Sequence, residues 1–323
     1  MNIFTLDKFC LIKSTYVMKI LVATEKPFAA VAVNGIKDIV EKAGFEFALL
    51  EKYTDKKQLF DAVADADALI IRSDKVDDEV MAAAPQLKIV VRAGAGYDNV
   101  DLNAATSRNI VVMNTPGQNS NAVAELVVGL LLMAVRNNYN GSSGSELMGK
   151  KIGLMAFGAV AQNLARIAKG LGMTVMGYSP TGHPEKIANA GFEVAETPEQ
   201  LFAECDIVSL HIPANAQTKE SINYSLLSKM KKKAILVNSA RKEVINEADL
   251  LQVMTEREDL RYYSDLQLAC HDEATEKLGS RYFATPKKMG AQTAEANINA
   301  GLAAARQIVA FLKEGCTQYQ VNK

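Results

Sequence analysis

The residues from 150 to 180 constrain the fold of this chain more than any other stretch. They read KKIGLMAFGAVAQNLARIAKGLGMTVMGYSP. The pattern predicts an apolar strand (152–156), a tight turn at Gly158, an amphipathic helix (159–171) and a second strand (173–178). A strand, turn, helix and strand in this order form the βαβ unit in which the helix N-terminus binds the pyrophosphate of a dinucleotide.

The glycine fingerprint of that unit, GxGxxG, is incomplete. Its three positions carry Ala156, Gly158 and Ala161. Alanine is accepted at the third position and Gly158 lets the backbone approach phosphates, whereas Ala156 at the tight turn departs from the pattern. Ser179 replaces the acid expected after the second strand, and a serine hydrogen-bonds either a ribose hydroxyl or a 2′-phosphate. The motif alone therefore leaves NAD, NADP and a plain α/β turn open.

Length, charge and cysteine usage limit the class of protein. The 323 residues are enough for two domains, each with its own core. The 36 basic and 37 acidic residues nearly balance and form no block of like charge, which argues against nucleic acid or a membrane as the main partner. The 4 cysteines lack metal-site spacing, so we expect free thiols, no metal site and a cytoplasmic protein.

Strands and helices alternate along the chain. Apolar runs predict strands at 18–23, 45–51, 67–73, 87–93 and 110–114, and later at 205–213, 234–240, 261–265 and 282–285. This alternation predicts an α/β fold with doubly wound parallel sheets.

Two longer helical patterns indicate how the domains are joined. Residues 119–136 are apolar almost all round, which predicts a buried helix at a domain or subunit interface. Residues 292–315 would return the chain to the first domain and leave a cleft between the two domains. Residues 1–17 lack the apolar core of a signal peptide, so we treat them as an N-terminal extension of unknown role.

Further motifs resemble the signatures of the D-2-hydroxyacid dehydrogenases, and among them most closely those of the D-3-phosphoglycerate dehydrogenases. They are VRAGAGYDNVD (91–101), MNTPGQNSNAVAEL (113–126), SLHIP (209–213), VNSAR (237–241) and GAQTAEA (290–296). The resemblance implies two Rossmann-like domains. Residues 18–117 and 292–323 would form the substrate domain, and residues 118–291 the dinucleotide-binding domain. It also implies a homodimer around the 119–136 helix. Because the sequence stops eight residues after Gly315, we expect no C-terminal regulatory extension of the kind seen in some relatives.

The resemblance also implies roles for individual residues. The catalytic arginine is Arg241, whose planar guanidinium would bind the substrate carboxylate and polarise the carbonyl. The residues expected at the substrate are Arg72, Ser73, Arg92, Gly94, Ala95, Gly96 and Asn119. The residues expected at the cofactor are Gly158, Ala159, Val160, Ser179, Ile212, Ser239, Ala240, Asp265 and Gly290. Among the substrate residues, Arg72 and Ser73 would contact a phosphate, and the amides of the 92–96 turn would bind a carboxylate. We interpret His211 as structural.

The chain departs from the family at the acid–base pair. Most members use a histidine to shuttle the hydroxyl proton and a glutamate to hold that histidine. Here Lys288 stands at the histidine's position and Cys270 at the glutamate's. Either the site is impaired or another group acts, and we favour Lys288, as in a lysine-bearing subset of phosphoglycerate dehydrogenases that this chain resembles.

The argument for Lys288 is electrostatic. Desolvation beside Arg241 would lower the pKa of the lysine from about 10.4 toward the working range. The alternatives are that Lys288 is a solvated residue or a phosphate ligand, or that Lys287 acts instead. The cluster at residues 270–273 is a further alternative source of the acid, but it is predicted to be a surface loop.

The leading functional hypothesis is NAD(P)-dependent oxidation of D-3-phosphoglycerate to 3-phosphooxypyruvate, the entry to serine biosynthesis. A second is an NADPH-dependent glyoxylate or hydroxypyruvate reductase, which Ser179 motivates. A third is a non-enzymatic NAD(H)-sensing interaction protein, which the missing pair motivates.

Overall fold

The computed structural model describes residues 16–322. Most of the proposed N-terminal extension, and Cys10 with it, therefore lies outside the described residues. The chain divides into two compact units. The first runs to Thr115 and includes Gly301–Lys323, and the second comprises Pro116–Ala300. The predicted limits of the two domains are 117/118 and 291/292, two and nine residues from these points.

The first unit is built on a five-stranded parallel sheet with strand order β2-β1-β3-β4-β5. Its elements are β1 (Lys19–Thr24), α1 (Ala30–Lys42), β2 (Glu46–Glu51), α2 (Lys56–Val63), β3 (Ala68–Ile71), α3 (Asp78–Ala82), β4 (Ile89–Arg92), α4 (Leu102–Ser107) and β5 (Val111–Asn114). Strand β3 is buried along its whole length because helices cover both faces of a parallel sheet.

Aspartates set the starts of three helices in this unit. Asp55, Asp77 and Asp101 precede α2, α3 and α4, and each carboxylate accepts a hydrogen bond from a backbone amide of the first turn. Such caps satisfy amides that have no partner inside the helix. The aspartates in the sequence therefore determine where these three helices begin.

The second unit is built on a seven-stranded parallel sheet with strand order β12-β11-β10-β9-β6-β7-β8. Its elements are α5 (Ser120–Val135), β6 (Lys151–Met155), α6 (Ala159–Gly170), β7 (Thr174–Tyr178), α7 (Glu185–Asn189), β8 (Glu193–Val194), α8 (Pro198–Glu204), β9 (Ile207–Leu210), α9 (Tyr224–Leu227), β10 (Ile235–Asn238), α10 (Glu247–Glu256), β11 (Arg261–Ser264), α11 (His271–Leu278) and β12 (Tyr282–Ala284). A final helix, α12 (Ala294–Glu314), carries the chain from the second unit into the first.

The strand order of each sheet identifies where a ligand is expected to bind. In the second unit the order reverses between β6 and β9, and in the first unit between β1 and β3. Ligands of doubly wound sheets bind at the carboxyl ends of the strands beside such a switch point. The predicted fold class of two Rossmann-like parallel sheets is confirmed.

One local prediction was wrong. The cluster at residues 270–273 is not a loop, because helix α11 begins at His271. Ala274 and Leu278 lie one turn apart and are buried in the core of the second unit, which holds the segment helical.

No helix within residues 16–322 is long and apolar enough to cross a membrane.

The turn between β6 and α6 has an unusual backbone. Ala156 has φ 78°, in the left-handed region, and its amide donates to the carbonyl of Tyr178 at 3.0 Å. A Cβ in this conformation crowds the following carbonyl, which is why glycine is the usual residue at the first position of the fingerprint. Ala156 therefore adopts the backbone of the glycine that it replaces.

We expect Ala156→Gly to stabilise the second unit. Removing the strained Cβ should add about 1 kcal/mol to the free energy of unfolding, less the greater entropy of an unfolded glycine. The melting temperature should rise by about 2 °C in scanning calorimetry. Ala248→Gly, at an exposed position in α10, is the control and should lower it. Equal losses in both variants would contradict the strain at Ala156.

Candidate functional site

The predicted site residues of the second unit converge on one edge of its sheet. Gly158, Ser179, Ile212, Ser239, Asp265 and Gly290 all follow the carboxyl ends of strands. Because neighbouring strands are parallel, these ends meet at the same edge.

The N-terminus of α6 fits a phosphate group. Gly158 is the N-cap, and no side chain there caps the first-turn amides. A Cβ built on Gly158 would meet no described atom within 4 Å, so the backbone faces open space. Ala161 is buried where the helix packs closely on the sheet. Uncapped amides at the positive end of a helix dipole bind anions, which suits a dinucleotide pyrophosphate.

The loop after β7 carries hydroxyls and an imidazole. Ser179 Oγ accepts from the amide of His183 at 3.1 Å and lies 3.4 Å from Thr181 Oγ1. The imidazole of His183 lies 3.1 Å from the carboxylate of Glu185. No carboxylate therefore stands at Ser179 itself, where NAD-specific enzymes use one to bind the ribose.

A buried asparagine shapes the turn that carries Arg241. Asn238 Oδ1 accepts from the amide of Ala240 at 3.0 Å, and its Nδ2 donates to the carbonyl of Arg241 at 2.9 Å. The half-buried guanidinium of Arg241 donates from Nη1 to the Ala240 carbonyl at 2.9 Å. The side chain of Asn238 thus fixes the main chain on both sides of this carbonyl.

Lys288 reaches the same carbonyl. Its Nζ donates to the oxygen of Ala240 at 3.1 Å. Arg241 Nη1 and Lys288 Nζ are therefore no more than about 6 Å apart, since they share one acceptor. The structure brings the two predicted catalytic residues together, although the lysine side chain is exposed rather than desolvated by the protein.

Asp265, which is predicted to contact the cofactor, forms hydrogen bonds with other residues of the protein. Its buried carboxylate accepts from the amides of Met289 and Gly290, each at 2.7 Å, and lies 2.9 Å from the hydroxyl of Thr285. These three donors flank Lys288 in sequence. The contact was not visible in the sequence, because nothing in the spacing links residue 265 to the 285–290 loop.

Two buried polar atoms at this edge have no hydrogen-bond partner among residues 16–322. They are His211 Nε2 and Ser239 Oγ. The two residues directly follow the register pair Leu210 and Asn238 of β9 and β10, so they are neighbours at the end of the sheet. Buried polar atoms are normally hydrogen-bonded. Their arrangement suits a polar ligand at the carboxyl edge.

Cys270 and His271, in the cluster at residues 270–273, make contacts inside the second unit. Burial and the carboxylate of Glu247 raise the pKa of the Cys270 thiol to about 11. The imidazole of His271 lies 2.9 Å from the hydroxyl of Tyr282. Among residues 16–322 no group of three or more His, Cys, Asp or Glu residues could hold a metal ion.

The first unit presents Arg72 at its own switch point. Nη1 of Arg72 donates to the carbonyls of Lys26 and Pro27 at 3.0 and 2.9 Å, and its guanidinium lies 5.1 Å from the ring centre of Phe28. Burial lowers the pKa of Arg72, yet an arginine stays charged in proteins. The 26–28 loop that holds this cation carried no signal in the sequence.

Asp74, which the sequence reasoning missed, organises this end of the sheet. Its buried carboxylate accepts from the amides of Glu25 and Arg72 and from the hydroxyl of Tyr53, at 2.7, 3.1 and 2.9 Å. Burial and this hydrogen bond raise the pKa of Tyr53. The only available signal was the acid directly after the IIRS strand end.

The 92–96 turn is arranged differently from a bare anion nest. Arg92 Nε donates to the carbonyl of Arg72 at 3.0 Å, and Arg92 Nη1 lies 1.5 Å from where a Cβ on Gly94 would be. With φ 150°, Gly94 leaves room for this guanidinium. Ser73 is exposed, and Asn119 belongs to the second unit as the N-cap of α5.

Comparisons with known proteins agree with this geometry. The family model described as D-isomer specific 2-hydroxyacid dehydrogenase, NAD binding domain, matches residues 129–275. The chain is 34% identical over 83% of its length to a D-3-phosphoglycerate dehydrogenase of Methanocaldococcus jannaschii, covering 54% of that protein. It is 36% identical over 69% of its length to a glyoxylate reductase of Thermococcus litoralis, covering 73% of it.

A solved structure is similar over nearly its whole length. It is NAD+-bound 3-phosphoglycerate dehydrogenase in Entamoeba histolytica, with 44% identity, a TM-score of 0.83, and coverage of 95% of this chain and 99% of that one. By contrast, the present chain spans about half the length of the Methanocaldococcus relative.

We expect His211 to make stability pH-dependent in mild acid. Burial lowers its pKa to about 4, below the usual value near 6.5. Between these pH values His211 is protonated in the unfolded chain but neutral in the folded chain. The free energy of unfolding therefore falls as the pH drops from 6.5 to 4. The loss should reach about 2–3 kcal/mol and be absent from His211→Gln.

Urea unfolding of both proteins between pH 7 and pH 4 measures the difference. His183→Gln, at an exposed imidazole, is the control and should follow the wild type. Parallel wild-type and His211→Gln curves would show that His211 is not buried in its neutral form.

Proposed function

Because the chain belongs to the D-isomer-specific 2-hydroxyacid dehydrogenase family, we propose that it transfers hydride between NAD(H) and a D-2-hydroxy acid. The proposed substrate is D-3-phosphoglycerate, oxidised to 3-phosphooxypyruvate at the entry to serine biosynthesis. The observation that carries the proposal is the convergence of Arg241 and Lys288 on the carbonyl of Ala240.

The second unit would hold the cofactor. The amides at the start of α6 would bind the pyrophosphate beside Gly158, and Ser179 would bind the adenosine ribose. Ser239 and Ile212 lie at the strand ends where the nicotinamide is expected. Bound NAD would supply the hydride acceptor. A serine at position 179 does not repel a 2′-phosphate, so both NAD and NADP fit this position.

Arg241 is proposed to bind and orient the substrate. Its guanidinium presents parallel N–H donors to a carboxylate and can polarise the oxygen on C2. The clamp formed by Asn238 limits the freedom of this turn before substrate arrives. Less rotational freedom is then lost when the substrate is aligned.

Lys288 is proposed as the acid–base group. In the oxidative direction the C2 hydrogen leaves as hydride, and the hydroxyl proton passes to an uncharged Lys288 amine, which becomes ammonium. Repulsion from the nearby guanidinium of Arg241 favours the uncharged amine before the reaction. The reverse transfer returns the proton to the oxygen when a 2-oxo acid is reduced.

Recognition of the substrate phosphate is assigned to Arg72. It is a cation at the switch point of the first unit, oriented by two carbonyls and an aromatic ring. A rigid guanidinium suits bidentate binding of phosphate.

A second candidate function, glyoxylate or hydroxypyruvate reduction with NADPH, is supported by Ser179 and by the similarity to a glyoxylate reductase. A cofactor-sensing protein without turnover is a third, supported only by the missing His–Glu pair.

We further propose a cytoplasmic homodimer arranged around α5. Leu132 of this helix is 39% exposed, and Tyr139 and Met148, which follow it, are 67% and 71% exposed. Large apolar side chains exposed together are typical of interaction surfaces.

A steady-state assay of NADH and NADPH absorbance separates the three functions. The purified protein is tested with phosphoglycerate, phosphooxypyruvate, hydroxypyruvate and glyoxylate. A higher kcat/KM for the phosphorylated pair supports the proposal. A preference for the unphosphorylated oxo acids supports the reductase instead, and no hydride transfer with any substrate supports the sensing protein.

Replacement of Lys288 tests its role directly. Lys288→Ala should lower kcat by about 10²–10⁴-fold, which is the usual contribution of one acid–base group to the rate. The dissociation constant of NADH should stay nearly unchanged. Lys287→Ala removes a neighbouring exposed lysine and should keep most of the turnover. If the two variants exchanged these results, Lys287 would be the acid–base group.

Replacement of Arg72 tests the choice of substrate. Arg72→Ala should lower kcat/KM for phosphooxypyruvate by about 10–100-fold, the worth of a charged hydrogen bond, and change that for hydroxypyruvate by less than about threefold. Arg108→Ala, which removes a surface ion pair with Asp78, should change neither. Equal losses of kcat/KM for both substrates would show that Arg72 does not bind the phosphate.

A further inference from the structure

The loop that carries Lys288 is closed on one buried carboxylate. Asp265 accepts from the amides of Met289 and Gly290, and Thr285 lies within hydrogen-bond distance on the other side of Lys288. The Thr285 hydroxyl also lies 2.8 Å from the carbonyl of Lys287. These hydrogen bonds of the carboxylate therefore go to residues on both sides of Lys288, within the 285–290 loop.

Hydrogen-bond donors of the loop stabilise this buried carboxylate. Asp265 is fully buried, and two backbone amides and the Thr285 hydroxyl lie within hydrogen-bond distance of its carboxylate. A buried charge costs several kcal/mol unless hydrogen bonds compensate for lost water. Two amides at 2.7 Å are short, strong donors of the kind that provide this compensation. The loop is thus held strongly in one conformation.

The same strand pair also positions the partner of Lys288. The amide of Asp265 donates to the carbonyl of Asn238 at 3.0 Å, and Asn238 clamps the turn at Ala240 and Arg241. Strands β10 and β11 are in register at Asn238 and Ser264. Both ends of the hydrogen bond from Lys288 to Ala240 are therefore fixed to adjacent residues of one sheet.

We propose that Asp265 is the positioning residue for Lys288, and that it places the amine beside Arg241 by binding the 285–290 loop. The assignment rests on the proposed function of Lys288. Loosening the loop would let the amine move away from the guanidinium, with two consequences. Proton transfer would slow because the geometry is lost, and the pKa of the amine would return toward its ordinary value because the neighbouring charge is lost.

A double-mutant cycle tests the assignment. Asp265→Asn keeps the shape but turns an amide group toward backbone N–H donors, and it is measured alone and with Lys288→Ala. The single variant should lower kcat by about 10–100-fold, as a misplaced group does. The double variant should be no slower than Lys288→Ala alone, since a residue that acts only through Lys288 has no effect once the amine is gone.

Further variants and readouts separate positioning from folding and cofactor binding. Thr285→Val should give a smaller loss than Asp265→Asn, and Thr285→Ser should restore turnover. In the oxidative direction, which needs the uncharged amine, the acidic limb of the pH profile of kcat should move to higher pH in Asp265→Asn. The dissociation constant of NADH should change by less than about threefold, since the carboxylate is turned to the loop.

Three results would overturn the assignment. Additive losses in the double variant would mean that Asp265 acts independently of Lys288. Weaker NADH binding that matched the loss of turnover would make it a cofactor ligand. Wild-type turnover in Lys288→Ala would remove the lysine from the mechanism, and the positioning role with it. That last result is read from a different variant and so is distinct from a failure of the cycle.

Discussion

Two adjacent parallel strands, β10 and β11, determine where both candidate catalytic cations lie. Parallel pairing brings Asn238 and Asp265 to the same edge of the sheet, where each is buried. Neither side chain carries the chemistry proposed for the site. Each instead binds main-chain groups, one beside Arg241 and the other beside Lys288. The rigidity of the sheet is thereby passed to two loops that have no regular structure of their own, which is how precise sites are built on loops.

The two cations lie close enough to repel each other. A lysine and an arginine share one carbonyl oxygen as acceptor. Arginine remains protonated in proteins, whereas a lysine amine can exchange a proton. In the proposed mechanism, the arginine therefore binds the anion and the lysine exchanges the proton. Such division between neighbouring titratable groups is common at active sites.

Much of the fold followed from the sequence, and the limits of that reasoning are physical. Buried parallel strands appear as apolar runs, so the strands flanking the site were predicted and found. The shorter helices α7 to α11 were not predicted from the sequence, although Thr197, Asn223 and Asn246 cap three of them. At the site, motifs indicated Arg241 and Lys288. Contacts between distant residues, such as Asp265 with Met289 and Asp74 with Tyr53, depend on the folded backbone and have no periodic signature.

The position of Asp265 offers a reason why a lysine site can do without the glutamate of the His–Glu pair. A carboxylate in direct contact with a histidine orients it and also stabilises its charged form. For a lysine beside an arginine, the second effect would be harmful, because the amine must be uncharged to accept a proton. Asp265 binds the main-chain amides of Met289 and Gly290, on one side of Lys288. In the proposed mechanism, orientation is thus separated from electrostatic stabilisation: Asp265 fixes the loop through its main chain, while Arg241 shares a hydrogen-bond acceptor with the amine.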